Sequence, residues 1–152
     1  MTADPVPTLR WREAATSEPP ALVLLDQTQL PVDEIQIECV DVEAVAEAID
    51  QEMARDAKVF LAGEDVRIGG PFGTDANLFE KYGDKRVVNT AISEQALAGL
   101  GVGAAAVGLR PIIEIMIMDF MAVAMDQVVN QMAKMKYMLG GKPVLPIVVT
   151  TH

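Results

Sequence analysis

Residues 86–118 read RVVNTAISEQALAGLGVGAAAVGLRPIIEIMIM, and this stretch decides the fold. A short apolar run with two valines comes first, a helix of small residues follows from Ser93 to Gly108, and a second apolar run rich in isoleucine closes the stretch. Serine is typical of a helix N-cap and glycine of a helix end. A strand, a crossover helix and a second strand in this order predict a right-handed unit of two parallel strands.

The flanking sequence extends this α/β pattern. VFLAG at 59–63 and VLPIVVTTH from 144 onward predict two further strands, which makes about four in all. VEAVAEAIDQEMARD at 42–56 and ANLFEKYG at 76–83 carry apolar residues at helical spacing and predict helices. Between them, VRIGGPFGTD at 66–75 predicts a loop because of its glycines and proline. The fold class is therefore α/β with a parallel sheet that this chain contains only in part.

The segment before this sheet has a different pattern. Residues 1–20 contain four of the nine prolines and predict a flexible arm. Two apolar runs, 21–26 and 34–40, flank a turn with a proline and predict a β-hairpin. Asp41 is then a candidate cap for the helix that follows.

Composition and charge exclude several classes of function. The chain has 152 residues, 51% of them hydrophobic, which suffices for one core, and its net charge is −10. Residues 1–56 carry 13 acidic and 3 basic side chains, whereas residues 57–152 carry 9 of each. An acidic first part argues against nucleic-acid binding, and no transmembrane or secretory segment is visible, so we expect a cytoplasmic location. Cys39 and His152 are each the single residue of their type, which argues against zinc sites and a Cys/His nucleophile.

The segment DFMAVAMDQVVNQMAKMKYMLGG at 119–141 predicts one long helix, capped by Asp119 and ended by Gly140 and Gly141. Its apolar residues recur at steps of three and four and form a seam, which comprises Met121, Met125, Val128, Met132, Met135 and Leu139. Core packing and a face that also contacts a partner subunit remain open alternatives, since methionine adapts to irregular contacts.

Gly101 and Gly103 lie in a GxGxxA pattern that resembles a dinucleotide fingerprint. That fingerprint requires its first glycine directly after a strand, at the start of a helix. Here both glycines lie well inside the predicted helix, so we interpret them as positions of close helix packing. The sequence also lacks a Walker A motif, a GxSxG elbow and HExxH.

Three glutamates are candidates for buried or functional roles. Glu64 follows a buried strand at its carboxyl end, where open parallel sheets bind ligands, although a solvated loop acid is the simpler interpretation. Glu94 lies in the first turn of the small-residue helix, where the helix dipole favours a carboxylate. Glu114 lies within a strand and needs a partner if buried, and Arg110 or a lysine is a candidate.

Together, these pieces resemble the pyrimidine-binding domain of the beta subunit of thiamine-diphosphate-dependent 2-oxo acid dehydrogenases, the pyruvate, branched-chain and acetoin class. The matching stretches are AIDQEMARDAKVFLAGEDV at 48–66, LFEKYGDKRVVNTAISEQALAGLGVGAAAVGLRPIIEIM at 78–116 and DFMAVAMDQVVNQMAKMKYMLGGKPVLPIVV at 119–149. The resemblance covers about residues 45–150. It implies the transketolase-like fold of that domain.

The resemblance also implies roles for individual residues. Glu94, in the family's I-S-E sequence, would hydrogen-bond the N1′ atom of the cofactor's aminopyrimidine and is the implied catalytic residue. Glu64 would lie near the same ring, Phe120 would pack on the pyrimidine face, and Met116 and Gln127 would line or support the pocket. No metal ligand is implied in this chain.

In this family an alpha subunit supplies the diphosphate and magnesium ligands through a G-D-G…N-N motif, which is absent here. The implied partners are therefore an alpha subunit, a 2-oxo acid substrate and further copies of the chain. The family subunit is also more than twice as long, and its usual D-T-P-I-S-E reads NTAISE at 89–94. We expect the isolated chain to be inactive, as one component of an oxidoreductase.

The first part resembles a different family. LRWREAA at 9–15, ALVLLDQTQLP at 21–31 and EIQIECVDVEAVAEAI at 34–49 are similar to the amino-terminal region of methylthioribose-1-phosphate isomerases. This resemblance implies a fusion joined around residues 46–50, with an arm at 1–20, an isomerase-like segment at 21–48 and a partial pyrimidine-binding domain at 49–152. The alternative function is a noncatalytic fusion fragment or a self-associating assembly module.

Overall fold

The computed structural model describes residues 42–151, and the predicted arm, hairpin and Asp41 cap lie outside the described residues. The helices and strands are, in chain order, α1 (Val42–Arg55), β1 (Val59–Gly63), α2 (Leu78–Tyr82), β2 (Val87–Asn89), α3 (Glu94–Ala106), β3 (Arg110–Ile115), α4 (Met121–Asp126), α5 (Met135–Met138) and β4 (Val148–Thr151). Two 3-10 turns, Val66–Ile68 and Met118–Phe120, and a π-helical segment, Gln127–Met132, lie between them. The predicted division at residue 48 stays a prediction, and α1 continues across it without a break.

The four strands form one parallel sheet in the order β2-β1-β3-β4, as the alternating pattern predicts. Leu61 of β1 pairs with Val87 of β2 on one side and with Ile112 of β3 on the other. On the far side of β3, Ile113 pairs with Val149 of β4. The mixed α/β architecture with an all-parallel sheet confirms the predicted fold class.

Each face of the sheet is covered by its own core, because successive side chains of a strand point to opposite faces. One core joins α1 and α2 to the sheet, and its buried members are Ile49, Met53, Val59, Leu61, Val66, Leu78, Val87 and Ile112. The other core joins α3 and α4 to the sheet, and its buried members are Ala62, Leu97, Ala98, Ile113, Ile115 and Ala124. The central strands β1 and β3 are therefore largely buried on both faces, as in other parallel sheets, whereas β4 at one edge is half-buried throughout.

The glycines of α3 allow this helix to lie very close to the sheet. A β-carbon built on Gly101 would lie 2.7 Å from Cγ1 of Ile113, a distance that real side chains do not tolerate. Gly103, two residues later, would meet nothing within 4 Å. Both residues lie inside α3 and not at its start, as predicted. The prediction of close helix packing is confirmed for Gly101 and is wrong for Gly103, which is exposed.

Polar contacts fix α1 to the elements after it. The Arg86 side chain donates from Nη2 to the backbone carbonyls of Met53 at 2.7 Å and Asp56 at 2.9 Å. Through Nη2 and Nε it also reaches the carbonyl of Val59, at 2.6 and 3.0 Å. Arg86 thus satisfies carbonyl groups at the carboxyl end of α1, which lack partners within the helix.

A second polar contact joins α2 to α1. Lys81 donates from Nζ to both carboxylate oxygens of Asp50 at 2.6 Å. The Tyr82 hydroxyl lies 2.7 Å from Asp50 Oδ1 and 2.9 Å from the Asp50 backbone carbonyl. These contacts lower the pKa of Asp50. The hydrogen bond from Lys81 has the largest effect, and the hydrogen bond from Tyr82 has the next largest.

The prediction of one long helix over 119–141 is confirmed only in part, because the backbone stays helical from Met121 to Met138 but is not one uniform α-helix. The structure has a 3-10 turn, α4, a π-helical segment and α5 over this range. Asp119 lies within the 3-10 turn and does not cap a helix, whereas Gly140 and Gly141 lie beyond the end of α5. A π-helical turn needs more residues than an α-turn, so the predicted seam does not stay on one face.

The seam residues differ accordingly in burial. Met121 and Met132 pack against the core that joins α3 and α4 to the sheet, whereas Met125 is 42% exposed and Leu139 is 57% exposed.

Among residues 42–151, no helix has the length and apolar character needed to cross a membrane.

Candidate functional site

The candidate site lies at the carboxyl edge of the sheet. The chain leaves β1 toward β2 and leaves β3 toward β4, although β1 and β3 are neighbours in the sheet. The two connections diverge, so the carboxyl ends of β1 and β3 form a topological switch point, which is where open α/β sheets bind ligands. Glu64 follows β1 at this edge, and Met116 follows β3.

Gly63 determines how Glu64 leaves the sheet. A β-carbon on Gly63 would lie 2.8 Å from Val66 Cγ1 and 3.0 Å from Glu114 Cβ, so any larger residue would force these neighbours apart. The amide of Thr90 donates to the Gly63 carbonyl at 2.9 Å, which joins the end of β1 to the chain leaving β2. Glu64 therefore begins its loop at a tightly packed point of the sheet.

Glu94 is the first residue of α3, whose N-cap is Ser93. The Ser93 side chain makes no capping hydrogen bond, so it caps by position only. Because α3 follows β2, its first turn lies at the same edge as Glu64. A carboxylate at this end of a helix is favoured by the helix dipole.

Glu64 and Glu94 are electrostatically coupled. Both side chains are half-buried. Burial raises the pKa of Glu64, and the charge of Glu94 raises it further, ahead of the smaller effect of Asp65. Glu64 therefore holds its proton to a higher pH than an ordinary glutamate does.

The segment that follows β3 at this edge, residues 116–120, is mostly apolar. Met116 is half-buried, and Phe120 lies at the end of the 3-10 turn with 44% of its surface exposed. Ile117 and Met118, between them, are also exposed. This edge thus combines two interacting carboxyl groups with exposed apolar side chains that a flat ring system can cover.

Gln127 begins the π-helical segment and is half-buried. Its side-chain amide carbon and oxygen would lie 3.7 Å from a β-carbon on Gly99 of α3, so the amide rests against the helix that begins with Glu94. This position is compatible with a supporting role. The roles of all these residues stay predictions.

The structure differs from the expectation for Glu114. This residue is buried with 1% of its surface exposed, and Thr74 donates to its Oε1 at 3.3 Å. Asp75, also 1% exposed, lies beside it, while Arg110 lies 3.3 Å from Asp56 instead. Sequence reasoning missed Asp75 because an acid in a loop rich in glycine is ordinarily solvated, and no periodicity marks it as buried.

Two surface hollows lie away from this edge. One, of about 280 Å³, lies between α1 and α2 and is lined by residues that include Glu47, Asp50 and Lys81. The other, of about 170 Å³, lies at the amino ends of the strands beside Lys58 and Lys85. Within residues 42–151, no three His, Cys, Asp or Glu side chains are grouped so that they would hold a metal ion.

The described part of the chain matches a known domain family. Residues 42–148 match the model of the family described as "Transketolase, pyrimidine binding domain". The match begins at the first residue of α1 and ends at the first residue of β4.

Individual relatives are similar over the same region. The pyruvate dehydrogenase E1 component subunit beta, mitochondrial, of Bos taurus is 50% identical over 107 residues, which are 70% of this chain and 30% of that protein. The corresponding Homo sapiens protein is 49% identical over 107 residues, with the same shares. The acetoin:2,6-dichlorophenolindophenol oxidoreductase subunit beta of Cupriavidus necator is 46% identical over 117 residues, 70% of this chain and 34% of that protein. The chain thus spans about a third of the length of these curated relatives.

Proposed function

Because this chain belongs to the transketolase pyrimidine-binding domain family, we propose that the carboxyl edge of its sheet holds the aminopyrimidine of thiamine diphosphate. The observation that carries the proposal is the electrostatic interaction of Glu64 with Glu94 at the carboxyl edge, where the strand order has its switch point between β1 and β3. The carboxyl group of Glu94 donates to or shares a proton with N1′ of the ring. Phe120 and Met116 provide apolar contact for the ring and keep water from it.

The residues present fit this cofactor. An aminopyrimidine nitrogen is a weak base, and the chemically matched partner is a carboxyl group whose proton is held near neutral pH. The raised pKa of Glu64 indicates that the Glu64–Glu94 pair retains a proton more readily than an ordinary surface acid. When bound, thiamine diphosphate supplies the carbanion chemistry that decarboxylates a 2-oxo acid.

The larger function is that of a beta-subunit component of a 2-oxo acid dehydrogenase. Relatives named as beta subunits of pyruvate dehydrogenase and of acetoin oxidoreductase support this proposal. An alpha subunit then holds the diphosphate and magnesium and contributes to the pocket for the 2-oxo acid. Several relatives are named as mitochondrial proteins, and the cytoplasmic location stays a prediction.

The test is a titration followed by NMR, because it locates binding on this chain without requiring turnover. Thiamine diphosphate with magnesium is added to the ¹⁵N-labelled chain, and inorganic diphosphate with magnesium serves as the control ligand. We expect thiamine diphosphate with magnesium to shift the amide resonances of Glu64, Glu94 and residues 116–120. Inorganic diphosphate with magnesium should leave these resonances unchanged. Shifts confined to the hollow between α1 and α2, or equal shifts with both ligands, would contradict a pyrimidine site.

A pair of variants sharpens this titration. Glu94→Gln replaces the carboxyl group by an amide and is expected to weaken binding about tenfold, the loss of one charge-assisted hydrogen bond. Glu80→Gln is the matched control, since Glu80 is exposed on α2, on the opposite side of the sheet from α3. Equal affinity of both variants would exclude Glu94 from the site. The isolated chain is expected not to decarboxylate pyruvate or branched 2-oxo acids.

A noncatalytic assembly module is the second candidate function. The observation that favours it is the exposed apolar surface after β3, which includes Val123, Met125, Val129, Met138 and Leu139. Surfaces of this kind mark interaction sites in soluble proteins. Light scattering distinguishes the two functions: a stable oligomer whose mass and cofactor response are both unaffected by Glu94→Gln favours the module.

A further inference from the structure

A buried pair of carboxyl groups lies outside the candidate cofactor site. Asp75 belongs to the β1–α2 loop (residues 64–77), and Glu114 belongs to the middle of the sheet on β3. Each is 1% exposed. Both carboxyl groups face Gly70, since a β-carbon built there would lie 2.9 Å from Asp75 Oδ2 and 3.4 Å from Glu114 Oε1.

The pair needs a proton. Apart from Glu114, no described residue offers a hydrogen-bond donor to either carboxylate oxygen of Asp75. Two ionised carboxylates in a dry site repel one another, whereas one shared proton turns the same contact into a hydrogen bond. Burial, followed by the hydrogen bond and the charge of Glu114, raises the pKa of Asp75 to about 9.

The surrounding elements bring few other charges to the pair. β1 contributes Gly63, which has no side chain, and β4 contributes Thr150, the register partner of Glu114. From the loop, Thr74 donates to Glu114 at 3.3 Å. Among the described residues, Glu114 is the charged group that affects the pKa of Asp75.

Both halves of the loop contact the sheet. In the first half, the side chain of Val66 is buried in the core beneath α1 and α2, and the Arg67 amide donates to Asn89 Oδ1 of β2 at 3.3 Å. This half also folds on itself, with the amides of Ile68 and Gly70 both donating to the Asp65 carbonyl at 3.0 Å.

The second half of the loop reaches β3 through the side chains of Thr74 and Asp75. We propose that Asp75 and Glu114 form a proton-dependent latch that holds the β1–α2 loop on β3 and releases it as pH rises. Glu64 is the first residue of this loop, so the latch acts on the segment that carries it.

The sign of the pH dependence follows from which state holds the proton. The closed loop keeps one proton on the pair up to about pH 9, whereas an opened loop exposes Asp75, whose ordinary pKa is 3.8. Opening therefore releases a proton between these two values, and its equilibrium constant rises by up to about tenfold per pH unit there. Above about pH 9 the dependence levels off.

Tryptic cleavage after Arg67 reports this opening in the intact chain. Arg67 lies in the loop, with its amide donating to Asn89 Oδ1 at 3.3 Å and its guanidinium over the Phe79 ring at 4.6 Å, so cleavage requires the loop to open. Cleavage after Lys85, an exposed residue of a separate turn, is the internal reference. The ratio of the two rates cancels the pH dependence of trypsin itself.

We expect this ratio to rise between pH 6.5 and 8.5 in the wild-type chain, by about threefold or more per pH unit. Asp75→Asn keeps a donor at this place at every pH, so its ratio stays flat. Asp84→Asn, at an exposed aspartate of another turn, is the matched control and behaves as the wild type. If Asp75→Asn does not fold, Glu114→Gln provides the same test because its amide donates to Asp75. A flat wild-type ratio, or a rise that persists in the Asp75→Asn or Glu114→Gln variant, overturns the latch.

Discussion

Gly101 of α3 lies directly against Ile113 of β3. A β-carbon on this glycine would be 2.7 Å from Cγ1 and 3.1 Å from Cδ1 of the isoleucine. Ile113 is completely buried in the core formed with α3 and α4, so it cannot move out into solvent. The contact fixes the distance between α3 and the sheet, and α3 begins with Glu94.

The variant Gly101→Ala is expected to destabilise the chain by about 1–3 kcal/mol, the usual cost of adding a methyl group to a filled core. Urea unfolding followed by circular dichroism measures this change. Gly103→Ala is the matched control, because a β-carbon there meets nothing within 4 Å. It is expected to stabilise the helix by about 0.5–1 kcal/mol. Destabilisation of the same size by both substitutions would mean that helix packing does not require Gly101.

The regular part of the fold could be predicted from the sequence because its cause is local. β1 has the bounds Val59–Gly63, the same as the apolar run VFLAG. α3 begins after Ser93 as its capping residue indicates. The small residues of α3 predicted close packing, although only the structure identifies Ile113 as the residue that Gly101 contacts.

The π-helical segment and the contact between the β1–α2 loop and Glu114 could not be predicted. The first has no distinct sequence pattern, and the second joins residues that are far apart in the sequence. The π-helical segment at Gln127–Met132 interrupts an apolar repeat that suits an uninterrupted α-helix equally well. Thr74 and Asp75 meet Glu114 from about 40 residues away, out of a loop with no periodic pattern. The same limit applies to the candidate site, where periodicity placed Glu64 and Glu94 at element ends and the resemblance supplied their roles.

Arg86 is expected to be essential for stability because it donates to three backbone carbonyls, those of Met53, Asp56 and Val59. Its guanidinium also lies 4.9 Å from the centre of the Tyr82 ring. Arg86→Ala removes the Arg86 donors from the carbonyls of Met53 and Val59, whereas the Asp56 carbonyl keeps the Val59 amide at 3.1 Å. The substitution should cost about 2–3 kcal/mol in the free energy of unfolding.

Arg86→Lys should recover less than half of that loss, because one ammonium group cannot reproduce a planar fork of donors. Lys85→Ala provides the control at an exposed neighbouring position, with an expected change within about 0.5 kcal/mol. Chemical denaturation of the three variants makes the comparison. Arg86→Lys with wild-type stability would show that charge alone, and not the hydrogen-bond geometry, is what matters.

The Asp50 contact predicts a loss of stability in acid. The Lys81 hydrogen bond lowers the pKa of Asp50 below its ordinary 3.8, so the folded state holds the ionised form more strongly than the unfolded state does. This contribution is complete above the unfolded pKa and is lost as pH falls through the folded pKa. Asp50→Asn should therefore melt at a lower temperature than the wild type at pH 7. The difference in melting temperature is small, as expected for a partly exposed pair, and it shrinks as pH falls below the ordinary pKa of 3.8.

Thermal melts of wild type and Asp50→Asn from pH 7 to pH 2.5 test this window, with Asp84→Asn as the exposed control. The control should follow the wild-type melting temperature throughout. A wild-type advantage over Asp50→Asn that stays constant down to pH 2.5 would exclude an ionic origin for the contact.

The relationship between Glu64 and Glu94 can be measured without any ligand. Burial raises the pKa of Glu64 first, and the charge of Glu94 adds to this effect. Glu94→Gln removes the like charge and leaves the burial almost unchanged, so the pKa of Glu64 should fall toward 4.5 without reaching it. Carbon-detected NMR of the Glu64 carboxyl group between pH 3 and pH 8 measures this shift directly. Glu80→Gln, on α2, should leave the Glu64 titration unchanged. If the Glu64 titration is also unchanged in Glu94→Gln, the two carboxyl groups do not share one site, and the acid pair proposed to hold the pyrimidine nitrogen does not exist.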